Sequence, residues 1–165
     1  MSVLTINCGS SSLKFSLYKT GKTFKCLREG IIDHIGKGKT HKKAIEDTVK
    51  NLDKKDIKLI VHRVVHGGSK YSKPIKIDSK VIRELEKLSP LAPLHNPANL
   101  EGIKICRKIF PRTKQAIVFD TAFYQTLDEK AYTYAIPKLL IEKHKIRKYG
   151  FHGTNHKYVT EKAIE

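Results

Sequence analysis

The segment over residues 3–18, VLTINCGSSSLKFSLY, constrains the fold most, because a Gly-Ser turn lies directly between two strand-like stretches. Residues 3–7 and 12–18 are predicted strands. In the second, Leu13, Phe15 and Leu17 fall on one face and the intervening residues on the other. The two stretches predict a β-hairpin. A Rossmann fold has a helix after its first strand, and a P-loop needs Gly-x-x-x-x-Gly-Lys before a helix, so this segment excludes both.

The turn of this hairpin is suited to an anion. Gly9 lets the backbone approach a ligand closely, and the serines that follow supply hydroxyl and amide donors. Lys14 lies shortly after the turn and adds a positive charge. A phosphate group is the predicted ligand, and an ordinary polar hairpin turn is the alternative.

The rest of the chain alternates strand and helix patterns, which predicts an α/β domain. The run IKLIVHRVV is apolar apart from its central His-Arg pair and predicts a buried central strand. Further strands are predicted over residues 24–32 and 114–120. Helices are predicted over residues 42–52, 78–88 with Asp78 or Ser79 as N-cap, 97–109 with Pro97 in its first turn, 138–146, and a last segment capped near Thr154.

The charge of the chain favours anionic ligands without indicating nucleic acid. Lysine and arginine total 33 against 16 acidic residues, which gives a formal net charge of +17. These cations are spread along the sequence. The sequence has no Cys/His finger, no obvious recognition helix and no basic strands interleaved with aromatic residues. We therefore predict no nucleic-acid partner.

Cysteine use and hydropathy predict a cytoplasmic protein. The three cysteines, at positions 8, 26 and 106, have no metal-binding spacing and an odd count, so free thiols in a reducing compartment are expected. No apolar run approaches the 18 residues of a membrane span, and no signal peptide is visible. A membrane partner is not predicted.

Four side chains stand where chemistry is expected. Arg63 lies inside an apolar strand, where a guanidinium needs an anion or a structural ion pair with a core carboxylate. Asp120 ends a buried strand, where α/β sheets bind ligands, with a helix cap as the alternative. His152 is flanked by Phe and Gly in a short loop, and a satisfied core histidine is its alternative. His95, in PLHNP, is either near the site or a packing residue.

Several strings taken together closely resemble the acetate kinases: INCGSSSLKFSL, HRVVHGG, LAPLHNP, VFDTAF followed by AYTYAIP, and KYGFHGTNHKYV. The acetate kinases are ATP-dependent carboxylate kinases of the acetate and sugar kinase, Hsp70 and actin superfamily. The resemblance runs from residue 3 to about residue 160 and is weakest over residues 20–56 and 69–88. It implies a ribonuclease H-like α/β domain over 1–121, with a mixed sheet that begins with a β-hairpin and is flanked by helices. Residues 122–165 would be the crossover and the beginning of a truncated second domain.

On the nucleotide side, the resemblance assigns roles to the hairpin. Asn7 would lie by Mg²⁺ and the phosphates. Ser10, Ser12 and Lys14 would line the phosphate-binding hairpin. The implied cofactor is Mg²⁺, with ATP as co-substrate.

On the substrate side, the resemblance implies that Arg63 holds the substrate carboxylate or the acetyl-phosphate. Val65 and Leu94 would form part of a pocket for the methyl group. His95 would lie nearby.

The implied catalytic residues are Asp120, as the essential carboxylate, and His152, which would stabilise the transferring phosphoryl group. One departure from the family pattern is Asn155, where the family usually has Ser, and we expect it to be tolerated. The larger departure is length, because family members are more than twice as long. Their adenosine site, a second essential Arg and a magnesium-linked Glu have no counterpart in this sequence.

The implied reaction is reversible phosphoryl transfer from ATP to acetate, which gives acetyl-phosphate and ADP. A full-length protein would be a homodimer. The alternative is an anion-binding fragment that is catalytically incomplete without a C-terminal half. The isolated 165-residue chain is expected to be inactive.

Overall fold

A computed structural model describes all residues from 1 to 165 and contains one six-stranded mixed sheet. The strand order is β3-β2-β1-β4-β6-β5. β1, β2 and β3 form an antiparallel meander, β1 pairs in parallel with β4, β4 pairs in parallel with β6, and β5 is antiparallel to β6. The strands are β1 (Ser2–Cys8), β2 (Leu13–Lys19), β3 (Lys25–Ile32), β4 (Ile57–Val64), β5 (Ile75–Lys76) and β6 (Lys114–Phe119). The predicted hairpin start and α/β class are confirmed.

Six α-helices accompany the sheet, and two 3₁₀ segments lie over Ser89–Leu91 and Asp120–Thr126. Asp78 is the N-cap of the second helix, since its side chain accepts a hydrogen bond from the Val81 amide, and Thr40 caps the first in the same way. The helices are α1 (His41–Val49), α2 (Ser79–Leu88), α3 (Asn96–Ile109), α4 (Glu129–Tyr132), α5 (Lys138–His144) and α6 (Gly153–Ile164).

Several predicted boundaries were wrong. Helix α1 ends at Val49 rather than at residue 52, and α5 ends at His144, where Lys145 turns into the left-handed region. β6 ends at Phe119, so Asp120 opens the following 3₁₀ segment instead of closing the strand. The two-residue strand β5 and the four-residue helix α4 are too short to show a hydrophobic period.

Helices α1, α2 and α3 pack on one face of the sheet, which we call the covered face. Its side chains form two apolar clusters, one with α1 and the end of α3, and one with α2 and the middle of α3. Because side chains alternate along a strand, the intervening residues point to the opposite, open face. The covered face includes Leu4, Ile6, Ile60, His62, Val64 and Ile117, and the open face includes Thr5, Asn7, Lys14, Val61, Arg63 and Val118.

Beyond Thr121 the chain is mostly exposed, and Gly153 is its only buried residue. Helix α6 contacts the 3₁₀ segment and β6 at the border of the open face. A Cβ atom at Gly153 would lie 2.0 Å from the Asp120 carbonyl oxygen, so only glycine permits this approach. The boundary between 1–121 and 122–165 stays a prediction. None of the helices is both long and apolar enough for a membrane span.

Candidate active site

Three of the predicted site residues meet at one edge of the sheet. β1, β4 and β6 run in parallel, so their carboxyl ends share an edge. Asn7 and Arg63 are the penultimate residues of β1 and β4, and Asp120 directly follows β6. Open α/β sheets bind ligands at this edge.

Arg63 and Asp120 form a two-pronged ion pair. Arg63 Nε donates to Asp120 Oδ1 at 2.9 Å, and Nη2 donates to Oδ2. Arg63 Nη1 donates to Asn7 Oδ1 at 3.2 Å. Asp120 is 1% exposed, whereas 30% of the Arg63 side chain reaches solvent. Arg63 is therefore paired with a buried carboxylate, as its structural alternative predicted. Part of the guanidinium nevertheless remains accessible to solvent.

The Asp120 carboxylate accepts a third hydrogen bond, from a residue that sequence reasoning missed. Thr154 Oγ1, in the first turn of α6, donates to Asp120 Oδ1 at 3.3 Å. The 3₁₀ segment that begins at Asp120 has no side-chain cap, so the helix-cap alternative for Asp120 is wrong. The carboxylate links β4, β6 and α6.

A cleft of about 410 Å³ opens above the ion pair. Arg63 and Asp120 lie at its polar end, and His95 and His152 also border it. Its remaining walls are apolar: Val65, Leu91, Ala92, Pro93, Leu94 and Phe151. The structure thus gathers six of the predicted site residues around one cavity.

A second cleft, of about 310 Å³, lies on the open face. It is bordered by Asn7, Lys14, Val61, Arg63 and Thr154, among others. Arg63 borders both clefts, so its side chain lies between the two cavities.

The hairpin turn lies outside both clefts. Ser10 and Ser12 border neither of them, unlike Lys14, which faces Asn7 across the β1–β2 ladder. The Gly9 amide donates to the Ser12 carbonyl at 2.8 Å and closes the turn. The amides of Ser10, Ser11 and Ser12 donate no hydrogen bond within the chain. The turn therefore presents three unused donors.

His152 is exposed, so its alternative as a satisfied core histidine is wrong. Its backbone has φ of 58°, in the left-handed region, and α6 begins at the next residue. His95 occupies the N-cap position of α3, is exposed and makes no capping hydrogen bond with its side chain. Both imidazoles are free to meet a ligand.

Two buried asparagines at the start of α3 were not predicted from the sequence. Asn96 accepts from the His66 amide at 3.1 Å and donates to the His66 carbonyl at 3.0 Å. Asn99 accepts from the Val65 amide at 3.0 Å and donates to the Cys8 carbonyl at 2.6 Å. Their spacing of three residues places both on one helix face, which is the signal that could have identified them.

These bonds hold the loop after β4 from behind. The Gly68 amide donates to His66 Nδ1 at 2.9 Å, and the Gly67 amide donates to Thr121 Oγ1 at 3.1 Å. Burial lowers the pKa of His66, which is consistent with a neutral ring that accepts at Nδ1. The loop that carries Val65 into the cleft is therefore fixed by side-chain contacts.

A cavity of about 650 Å³, larger than either cleft, lies at the opposite edge, where β4 and β6 begin. Its polar lining is mainly basic, including Lys55, Lys58, Arg112 and Lys114. It gathers none of the predicted site residues and no carboxylate that could orient a cation or a proton. We therefore place the candidate site at the carboxyl edge, despite the smaller clefts there.

Comparison with known proteins shows the family to which the chain belongs. The family model described as "Acetokinase family" matches residues 2–165, almost the whole chain. The chain belongs to the acetokinase family. The acetate kinase of Helicobacter hepaticus is 45% identical over all of this chain, and the alignment covers 48% of that relative.

Solved structures of similar kinases have the same fold. The acetate kinase of Porphyromonas gingivalis superposes with a TM-score of 0.89 at 39% identity, over 98% of this chain and 48% of that one. A propionate kinase from Francisella tularensis superposes with a TM-score of 0.81 at 40% identity, over 98% and 48% respectively. The predicted family and superfamily fold are confirmed, and the chain spans about half the length of these relatives.

Proposed function

We propose that this chain forms the acyl-phosphate side of a carboxylate kinase that transfers a phosphoryl group from ATP to acetate. The observation that carries the proposal is Arg63, which is paired with Asp120 and borders both clefts. Relatives whose names are acetate kinase and propionate kinase support a short carboxylate as acceptor.

The larger cleft suits the carboxylate substrate. Its polar end offers the accessible part of the Arg63 guanidinium, whose planar donors match a carboxylate. Val65 and Leu94 supply an apolar wall for an alkyl group of one or two carbons. A short acid would lie with its carboxylate towards Arg63 and its methyl group against this wall.

The smaller cleft and the hairpin suit the phosphates. Asn7 and Lys14 border this cleft, and the free amides of the turn lie beyond it. Phosphoryl transfer passes through a loose transition state, so catalysis requires alignment and positive charge more than covalent chemistry. Lys14 and Arg63 would bring positive charge to the γ-phosphoryl group from two sides.

Asp120 and His152 would complete the reacting centre. Asp120 holds the Arg63 fork in a single orientation, and Thr154 fixes one of its carboxylate oxygens. His152 borders the larger cleft and would donate a hydrogen bond to an oxygen of the transferring phosphoryl group. His95, which also borders this cleft, would contact the same phosphoryl group.

The donors available for Mg²⁺ are oxygens, which this ion prefers. Asn7 Oδ1 would face it directly or through water, whereas the buried Asp120 carboxylate, held by Arg63 and Thr154, would act on it only through water. The chain has no cluster of three or more His, Cys, Asp or Glu. Mg²⁺ usually keeps several waters and binds phosphate oxygens, so two protein donors fit it. When bound, it would neutralise charge on the phosphates.

The proposal extends to the whole protein only with residues beyond this chain. We infer that the segment over 122–165 begins a second domain, that the full-length protein is a cytoplasmic homodimer, and that the 165-residue chain alone does not turn over. A second candidate, an anion-binding fragment without turnover, is favoured by the presence of both clefts within these 165 residues.

The test compares the full-length protein and the 165-residue chain with ATP, Mg²⁺ and acetate, with acetyl-phosphate trapped as hydroxamate. Activity of the full-length protein and none of the shorter chain is expected. Absence of acetyl-phosphate from the full-length protein would refute the kinase. Inorganic phosphate binding to the 165-residue chain, followed by calorimetry, tests the fragment candidate separately.

A further inference from the structure

Two side chains from different helices hold the carbonyl groups that lead into the hairpin turn. Asn99, on α3, donates to the Cys8 carbonyl at 2.6 Å. His41, the first residue of α1, places its Nε2 2.8 Å from the Gly9 carbonyl oxygen. Two successive peptide groups are therefore fixed from the helical side.

His41 is itself held at its second ring nitrogen. Nδ1 lies 2.9 Å from Glu101 Oε2, and the whole residue is only 9% exposed. Carbonyl and carboxylate oxygens both accept hydrogen bonds, and the ring contacts one such oxygen at each of its nitrogens. Through these two contacts, His41 on α1 connects Glu101 on α3 to the turn.

The orientation of the Gly9 carbonyl determines where the next amide points. In a planar trans peptide the C=O and N–H groups point in opposite directions. With the Gly9 oxygen turned towards His41, the Ser10 amide points away from the helices. That amide and those of Ser11 and Ser12 have no partner in the chain, and Ser10 and Ser11 are exposed.

We propose that His41 is a positioning residue that directs the Ser10 amide towards a phosphate oxygen. This inference rests on the proposed function, because it assumes that the hairpin meets the phosphates of the nucleotide. An amide that is oriented before binding does not have to be ordered by the ligand, which improves affinity. His41 would act on the nucleotide without touching it.

The experiment uses the full-length protein with ATP, Mg²⁺ and acetate. His41→Ala should raise the KM for ATP about tenfold, the effect of losing one well-aligned hydrogen bond to a charged group, and change the KM for acetate much less. His41→Gln should recover most of this loss, because its amide nitrogen can donate to the Gly9 carbonyl. Thr48→Ala is the matched control, since Thr48 is buried on α1 and donates to the Ala44 carbonyl.

A direct readout separates this role from general loosening of α1. The ¹³C shift of the Gly9 carbonyl and the Ser10 amide shift should move in His41→Ala and return in His41→Gln. An unchanged ATP KM in folded His41→Ala would overturn the proposal, as would an equal rise in Thr48→Ala. If the wild type forms no acetyl-phosphate, the proposed function fails, while the two shifts still test whether His41 orients the turn.

Discussion

The polar residues on the two faces of β4 differ in charge and in exposure. On the covered face, His62 Nε2 donates to Gln115 Oε1 at 2.9 Å, and burial lowers the pKa of His62 to about 4. On the open face, the next residue, Arg63, remains a partly exposed cation. The covered face keeps its polar groups neutral and paired, while the open face keeps charge near two clefts.

The difference shows how strand alternation separates stability from chemistry. A neutral, hydrogen-bonded histidine can lie in an apolar layer at modest cost, whereas a charge there would need a partner. Arg63 has its partner in Asp120, and it still reaches the cleft because no helix of the covered face lies over it. Adjacent residues can therefore have independent roles.

The largest effect on kcat is expected from Asp120→Asn in the full-length protein. The change keeps the shape and removes the charge that holds the Arg63 fork, so kcat should fall about 1,000-fold. Steady-state kinetics with ATP and acetate measure it. Asp78→Asn is the control, because asparagine also caps α2. A comparable fall in the control would show that the assay reports stability.

Arg63→Ala should lower the free energy of unfolding by about 3 kcal/mol, because it leaves the Asp120 carboxylate buried without its cation. Adding Asp120→Asn should restore part of this loss, which makes the two changes non-additive. Urea unfolding of the two single variants and the double variant measures the coupling. Additive losses would mean that the ion pair contributes nothing to the fold.

The covered face should be sensitive to acid through His62. The pKa of His62 is about 4 in the folded protein and about 6.5 in the unfolded chain. Between these values the unfolded state binds a proton on this imidazole that the folded state does not bind. Stability should therefore fall by about 3 kcal/mol between pH 6.5 and pH 4 from this group. In His62→Gln, the free energy of unfolding measured in urea should lack this part of its dependence on pH. Identical slopes in both proteins would contradict the buried neutral histidine.

The smallest predicted effect concerns the backbone at His152. Its left-handed conformation costs a residue with a Cβ atom about 1 kcal/mol relative to glycine. His152→Gly should therefore unfold with a free energy about 1 kcal/mol above that of His152→Ala, less any gain in unfolded-state entropy. Thermal and urea unfolding of both variants test this difference. Equal stabilities would mean that the loop relaxes without the imidazole.

The hairpin, the central strand and the fold class could be predicted from local patterns, because alternation and turn residues act over a few positions. The Arg63–Asp120 pair could not, since it depends on the β4–β6 register, in which Arg63 lies opposite Val118. The contact of His41 with Gly9 joins residues 32 positions apart and leaves no local signal. The exposure of His152 also required the structure, because a Phe-His-Gly sequence does not show whether the loop lies on the surface.

Kinetics of Arg63→Lys and His62→Gln, measured side by side in the full-length protein, test the separation of the two faces most directly. Lysine keeps the charge and loses the planar fork, so kcat/KM for acetate should fall about 100-fold, while His62→Gln should stay within about threefold of the wild type at pH 7.5. A loss in His62→Gln as large as that in Arg63→Lys, or full activity of Arg63→Lys, would contradict the account.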